Sequence, residues 1–240
     1  MINFPPAHEA YIPGVYKLIQ YIRTAPYTQK NGGGALMDFC VYGAVLMYWI
    51  FGKQDSVQAM VGDIRSTDDV RRACQGMDII FQTAAAVWDL NTPEKVYDEV
   101  NVKGNQIVID TCRRLEVTRL VYTSTMDVVI DGWKPIVNGD ESLPYPERLP
   151  RDPYCRTKII AEQMVIASNG PELLTCALRP VGMYGPRDKY HLANIIKVAK
   201  SKMNIRLGDG SARFSHVYSE NAARAHILAA KHLKPGSYVA

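Results

Sequence analysis

The chain has 240 residues, 47% of them apolar and 22% charged, with a formal net charge of +4. That length suits one domain with a sizeable core, and the composition excludes a disordered or fibrous chain. The basic residues are spread along predicted helices, as at Arg71-Arg72 and Arg113-Arg114, so no nucleic-acid-binding stripe is expected.

Residues 1–55 form an atypical N-terminal segment. Within it, Ile12, Val15, Tyr16, Leu18, Ile19 and Ile22 follow a helical period, which predicts an amphipathic helix begun by Pro13. Gly32-Gly33-Gly34 follows Gln29-Lys30-Asn31 rather than an apolar strand, so it reads as a flexible loop, not a phosphate loop. Residues 35–52 carry one charge, Asp38, which leaves an uninterrupted apolar run shorter than the roughly twenty residues needed to cross a bilayer. They read as a buried or membrane-interfacial helix, with a spanning helix and an irregular segment as alternatives. No basic start followed by a small-residue cleavage site marks a signal peptide.

From residue 56 to 240 strand and helix signals alternate. A strand over residues 57–61 runs into Gly62-Asp63-Ile64-Arg65, and Ser66-Thr67-Asp68-Asp69 caps a helix ending near Gly76. The strand over 78–83 gives way to Ala84-Ala85-Ala86, and Thr92-Pro93-Glu94 starts a long helix through about Leu115. Residues 120–124 are the next strand, 153–168 a helix opened by Pro153, and 174–178 a further strand before Arg179-Pro180. Apolar strands separated by helices predict an α/β fold, a Rossmann-like doubly wound parallel sheet covered on both faces, with ligands at the carboxyl ends of the strands. The five cysteines, Cys40, Cys74, Cys112, Cys155 and Cys176, lack Cys-x-x-Cys spacing and read as reduced thiols of an intracellular protein; they and the scattered histidines imply no metal site.

The chemistry concentrates in Tyr154-Cys155-Arg156-Thr157-Lys158. A helix sets residues i and i+4 on one face, so Lys158 stands one turn above Tyr154, where its charge favours the phenolate. Ser124, at the end of the preceding strand, is placed to hydrogen-bond a substrate oxygen while Tyr154 exchanges a proton with it. A Tyr-x-x-x-Lys pair alone is common; the strand-end serine, the turn-rich residues 138–144 and Pro153 give it its weight, against a bland reading of surface Tyr and Lys on a solvated helix and a serine that only caps a turn.

Asp63 after Gly62, Asn101-Val102-Lys103-Gly104, Ser124, Tyr154 with Lys158, and the run Leu178-Arg179-Pro180-Val181-Gly182-Met183-Tyr184-Gly185-Pro186 resemble an extended short-chain dehydrogenase/reductase. Within that group the chain is most similar to the 3β-hydroxysteroid dehydrogenase/isomerase and sterol-4α-carboxylate 3-dehydrogenase family, over residues 57–240. The resemblance implies NAD or NADP as cofactor and oxidation of a sterol or steroid 3β-hydroxyl to a ketone. It also implies association with intracellular membranes of the endoplasmic-reticulum type, or a cytoplasmic location, and a homodimer built on the long helices. By resemblance, Asp63 hydrogen-bonds the adenine amino group with Ile64 beside the ring, and Thr83, Ala84 and Ala85 line the cofactor groove. Asn101 helps hold a proton-relay water, Lys158 also holds the nicotinamide ribose, and Pro180 with Val181 borders the nicotinamide.

The front departs from this pattern. A dinucleotide-binding fold opens with a strand, a glycine-rich turn and a helix, and no such segment is legible here. Gln82 stands where the family often has histidine, which alters a local contact. The chain stops soon after Gly208-Asp209-Gly210 and a helix ending near His232, which predicts an incomplete substrate lobe. Two alternatives follow: a catalytically silent relative serving as a binding or scaffold protein, and a reductase or epimerase of a flavonoid-like ketone or a nucleotide sugar.

Overall fold

The structure, a computed structural model, describes residues 16–19, 62–87, 92–132, 135–185, 188, 191–201, 209–211 and 213–234. The expectations for Gly32-Gly33-Gly34, for the apolar run at 35–52 and for a strand at 57–61 lie outside them.

The described elements are, in order, β1 (Tyr16–Ile19), α1 (Thr67–Cys74), β2 (Ile79–Gln82), α2 (Glu94–Tyr97), a π-helical turn (Asp98–Lys103), α3 (Gly104–Arg114), β3 (Arg119–Thr123), a 3-10 turn (Met126–Val129), α4 (Pro153–Ala167), β4 (Leu174–Leu178), β5 (Gly182–Tyr184), α5 (His191–Lys200), β6 (His216–Tyr218) and α6 (Ser219–His232). Four strands make a parallel sheet in the order β1-β2-β3-β4, and β5 pairs with β6 in a second, parallel pair. This is the α/β arrangement the alternating signals predict.

The N-terminal segment corrects one expectation. Residues 16–19 are strand rather than helix, paired with β2 in the register Tyr16↔Ile79 to Ile19↔Gln82. Tyr16, Leu18 and Ile19 satisfy a helical period, but a four-residue segment beside an apolar strand gains ladder hydrogen bonds that a lone helical turn lacks, and such pairing overrides a short local pattern. A strand thus stands at the front of the chain beside β2, where none was expected.

Alternate strand residues feed two cores, as the two-residue period of a strand requires. Ile80, Leu120 and Tyr122 pack under α1, α3 and α4 with Val70, Val108, Cys112 and Val165. Ile79, Phe81 and Val121 pack on the other face against Ala223, Ile227 and Ala230 of α6. Both faces being covered explains why these strands are apolar throughout.

The helix caps are local. Ser66 accepts from the Asp69 N–H at the start of α1, and Asp152 accepts from the Cys155 N–H at 2.8 Å with Pro153 in the first turn of α4. The long helix expected from Thr92 through about Leu115 runs without a break to Arg114. It begins at Glu94, capped by Pro93 without a side-chain bond, and passes through a π turn before α3. Among the described residues no helix is long and apolar enough to cross a membrane.

Candidate active site

The site is built where β2, β3 and β4 end. After β2 the chain is pinned at every second residue by side-chain amides. The Gln82 carboxamide accepts from the Ala84 N–H at 2.7 Å and donates to the Ala84 carbonyl at 3.1 Å. Asn101 does the same to Ala86, at 2.7 and 3.1 Å. Each carboxamide thus pairs with the backbone of one residue as another strand would, which fixes the Thr83-Ala84-Ala85 wall. Gln82 thereby satisfies both backbone groups of Ala84 with its own carboxamide.

Asn101 sits in the π turn, 2% exposed, and its carboxamide also donates to the Thr157 hydroxyl at 3.0 Å. Thr157 in turn donates to the Pro153 carbonyl at 2.7 Å. Both Asn101 donors are therefore used in tying the groove wall to α4. The side chain has no donor left for a water, so the expected relay role would have to fall to its oxygen or to the turn's backbone.

After β3 the Ser124 N–H donates to the Leu178 carbonyl at 2.7 Å, and the Met126 N–H donates to that of Pro180 at 3.1 Å. The segment carrying Ser124 is thereby fastened to the segment carrying Pro180 and Val181. The Ser124 hydroxyl is buried, 4% exposed, and has no hydrogen-bond partner among the described residues; nor has the Thr83 hydroxyl at the neighbouring strand end. Buried hydroxyls are nearly always partnered, by protein or by ordered water, so one left open at a strand end is available to a ligand or a water. The cap of the turn that follows is Thr125, not Ser124, which removes the bland explanation of the serine: Thr125 accepts from the Asp127 N–H and donates to the Asp127 carboxylate at 2.9 Å.

Tyr154 and Lys158 are one turn apart on α4, as expected, but their electrostatics differ from the expectation. The Lys158 ammonium, 2% exposed, donates to the Tyr122 hydroxyl at 2.6 Å and to the Thr123 carbonyl at 2.7 Å. Burial brings its pKa down to about 7, partly offset by the Glu162 carboxylate. Tyr154 is held above the usual phenol range, first by burial and then by the Asp127 carboxylate, with a hydrogen bond from Thr125 pulling the other way. The phenolate-favouring influence expected of Lys158 is thus outweighed, because desolvation and a neighbouring negative charge both oppose ionisation of Tyr154.

On the far side of the groove, both Asp63 oxygens meet Arg65, at 2.7 to 3.1 Å, and Arg65 also reaches Glu99 at 3.2 Å. The carboxylate is in place at the turn before α1, with lone pairs shared with a guanidinium. Ile64 follows Asp63 in the same turn. It is 2% exposed and packs under Gly104, where an added Cβ would stand 2.9 Å from the Ile64 Cγ2, so its side chain has almost no surface for a ligand. Its apolar bulk does more in the α1–α3 core than at the groove edge.

Tyr122, Thr125, Asp127 and Glu162 were not among the expected site residues. Tyr122 was findable from strand period alone, since it shares the α4-facing side of β3 with Leu120; Glu162 was findable as the residue one turn beyond Lys158.

The model of the 3-beta hydroxysteroid dehydrogenase/isomerase family matches residues 49–238. The chain belongs to this family. It is 39% identical over 193 residues to short-chain dehydrogenase/reductase family 42E member 1 of Bos taurus, covering 75% of this chain and 49% of that one. It is likewise 39% identical over 184 residues to the decarboxylating sterol-4-alpha-carboxylate 3-dehydrogenase of Saccharomyces cerevisiae, covering 75% of this chain and 52% of that protein. The chain spans about half the length of these curated relatives. Among solved structures, a double mutant of the dTDP-glucose 4,6-dehydratase of Streptomyces venezuelae with NAD bound superposes with a TM-score of 0.64 at 24% identity, over 77% of this chain and 57% of that one, which shows the shared Rossmann-like fold.

Proposed function

We propose that the protein is an NAD- or NADP-dependent oxidoreductase that oxidises the 3β-hydroxyl of a sterol or steroid to a ketone. The observation that carries this reading is the buried, unpartnered Ser124 hydroxyl at the end of β3, in a family chain whose next helix presents Tyr154 and Lys158. Family membership and a sterol-named relative support the substrate class.

The residues present fit the cofactor. Thr83, Ala84 and Ala85 form a rigid wall of small side chains with one unpartnered hydroxyl, Asp63 offers a carboxylate beside α1, and Lys158, Pro180 and Val181 frame the far end. NAD or NADP bound there supplies the acceptor for the hydride that leaves the carbinol carbon. Ser124 orients the substrate oxygen. In oxidation Tyr154 takes the hydroxyl proton as its phenolate, having first lost its own proton to solvent, and in the reverse direction it gives the proton back; its raised proton affinity makes the protonated form the resting one at neutral pH, so oxidation gains as pH rises. The Lys158 charge, one turn away, lowers the cost of the transient phenolate.

A sterol is nearly insoluble in water, so the same reading includes work at an intracellular membrane surface of the endoplasmic-reticulum type, with dimer formation through the long helices; liposome flotation and analytical ultracentrifugation test these. The reading itself is tested by titrating the purified chain with NADH and NADPH, followed by energy transfer from tryptophan to nicotinamide. Saturable binding of one or both is expected. No binding of either at millimolar concentration would contradict it and favour a silent relative.

A further inference from the structure

One buried charge cluster lies next to the proton-transfer site without belonging to it. The Glu162 side chain is fully buried on α4, one turn beyond Lys158. Its Oε1 accepts three hydrogen bonds: from Arg179 Nε at 2.9 Å, from Arg179 Nη2 at 2.7 Å and from the Tyr145 hydroxyl at 2.8 Å. The Arg179 guanidinium also lies 5.5 Å from the centre of the Tyr145 ring. Glu162 Oε2, by contrast, is buried with no partner among the described residues. A buried carboxylate that leaves one oxygen unsatisfied is costly, and stability alone would favour an apolar side chain here.

The position of Arg179 gives the cluster a purpose. It lies between Leu178, whose carbonyl holds the Ser124 N–H, and Pro180, whose carbonyl holds the Met126 N–H. The Glu162–Arg179 pair therefore joins the helix of Tyr154 and Lys158 to the segment that places Ser124. Tyr145 joins the loop before α4 to the same point.

We propose that Glu162 is a positioning residue of this site: clamped by Arg179 and Tyr145, its carboxylate locks α4 to the strand-end segment that holds Ser124 and keeps the buried Lys158 ammonium charged against Tyr122 and Thr123. The proposal rests on the dehydrogenase reading for the meaning of Lys158 but not for its test. The groups that bear on Lys158 are Tyr122 and the Thr123 carbonyl from β3, Tyr154 and Glu162 from α4, Asp127 beside Tyr154, and Arg179 and Tyr145 through Glu162. Burial lowers the proton affinity of Lys158 and Glu162 raises it.

The test follows the Lys158 side chain itself, by the 13Cε resonance of lysine-labelled full-length chain titrated with pH and assigned by its loss in Lys158→Met. No substrate or cofactor is needed, so failure here and failure of the dehydrogenase reading are separate results. In Glu162→Gln the Lys158 midpoint is expected to fall by about one pH unit or more, the scale of a nearby opposite charge. In Arg179→Gln, which strips the carboxylate of its neutralising partner, the midpoint is expected to rise. Glu94→Gln, which breaks the surface pair between Glu94 of α2 and Arg156 of α4, is expected to leave it in place. If Glu162→Gln does not fold, the opposite-sign shift in Arg179→Gln decides. A Lys158 midpoint unchanged in whichever of the two variants folds would overturn the proposal.

Discussion

The Lys158 ammonium donates at 2.6 Å to the Tyr122 hydroxyl and lies 4.2 Å from the centre of the same ring. One tyrosine thus receives a buried charge both through its oxygen and through its face, an arrangement that keeps a cation in a site poor in water. The hold is incomplete, because Lys158 titrates near 7 in the folded chain against 10.5 for a free side chain. Between those values the unfolded chain binds one more proton than the folded chain, so this group adds stability as pH rises from about 7 and adds none below it. In urea unfolding, native minus Lys158→Met stability is expected to grow by about 2 kcal/mol from pH 7 to pH 9, at roughly 1.4 kcal/mol per pH unit at the limit. Parallel profiles for the two proteins would show that Lys158 is not buried as described.

Ser124→Ala removes a hydroxyl that has no protein partner. Thermal stability is expected to hold or rise slightly, while turnover falls by about a hundredfold or more, the scale of losing one donor to a reacting oxygen. A clear loss of stability with turnover kept would make the serine structural.

Much of this site is legible in the residues alone. Pro153 announces α4, and the apolar strands announce the parallel sheet, because a proline in the first helical turn and covered strands leave local marks. The strand Tyr16–Ile19 leaves none, since its partner β2 lies far along the chain and its own spacing mimics a helix turn. The π turn around Asn101 leaves none either: its apolar spacing matches the helices on both sides, and the extra residue shows only in the backbone bond from Gly104 to Glu99. The clamp at Glu162 is hidden for a different reason. The sequence does not single out Glu162, and only tertiary packing shows that Lys158 and Glu162 are both buried and that each hydrogen-bonds other partners.

Asn101 holds three hydrogen bonds across the π turn, the groove wall and α4. Asn101→Ala is expected to cost about 2–4 kcal/mol in chemical unfolding, because it leaves the buried Ala86 N–H and carbonyl without partners. Gln106→Ala, which removes an exposed carboxamide bonded to Asp110 on the same run of helix, is expected to cost close to nothing. Equal effects would mean that the amide clamp on Ala86 is incidental.

Tyr154→Phe is expected to abolish turnover with fold and cofactor binding kept, since only the phenol oxygen is lost. Asp127→Asn removes the negative charge that raises Tyr154, so the limb over which oxidative turnover climbs with pH is expected to move to lower pH. A limb that stays in place would separate Asp127 from the proton transfer.

Under the proposed function, hydride passes from the carbinol carbon of a 3β-hydroxysteroid to the nicotinamide, and an isotopic label follows it. A sterol or steroid carrying deuterium at the carbinol carbon is incubated with the chain and NAD or NADP, and the reduced cofactor is analysed by mass spectrometry. Deuterium is expected in the reduced nicotinamide with the native chain, and none with Tyr154→Phe. Bound cofactor that stays oxidised and unlabelled across 3β-hydroxysterols and steroids would contradict the proposed function.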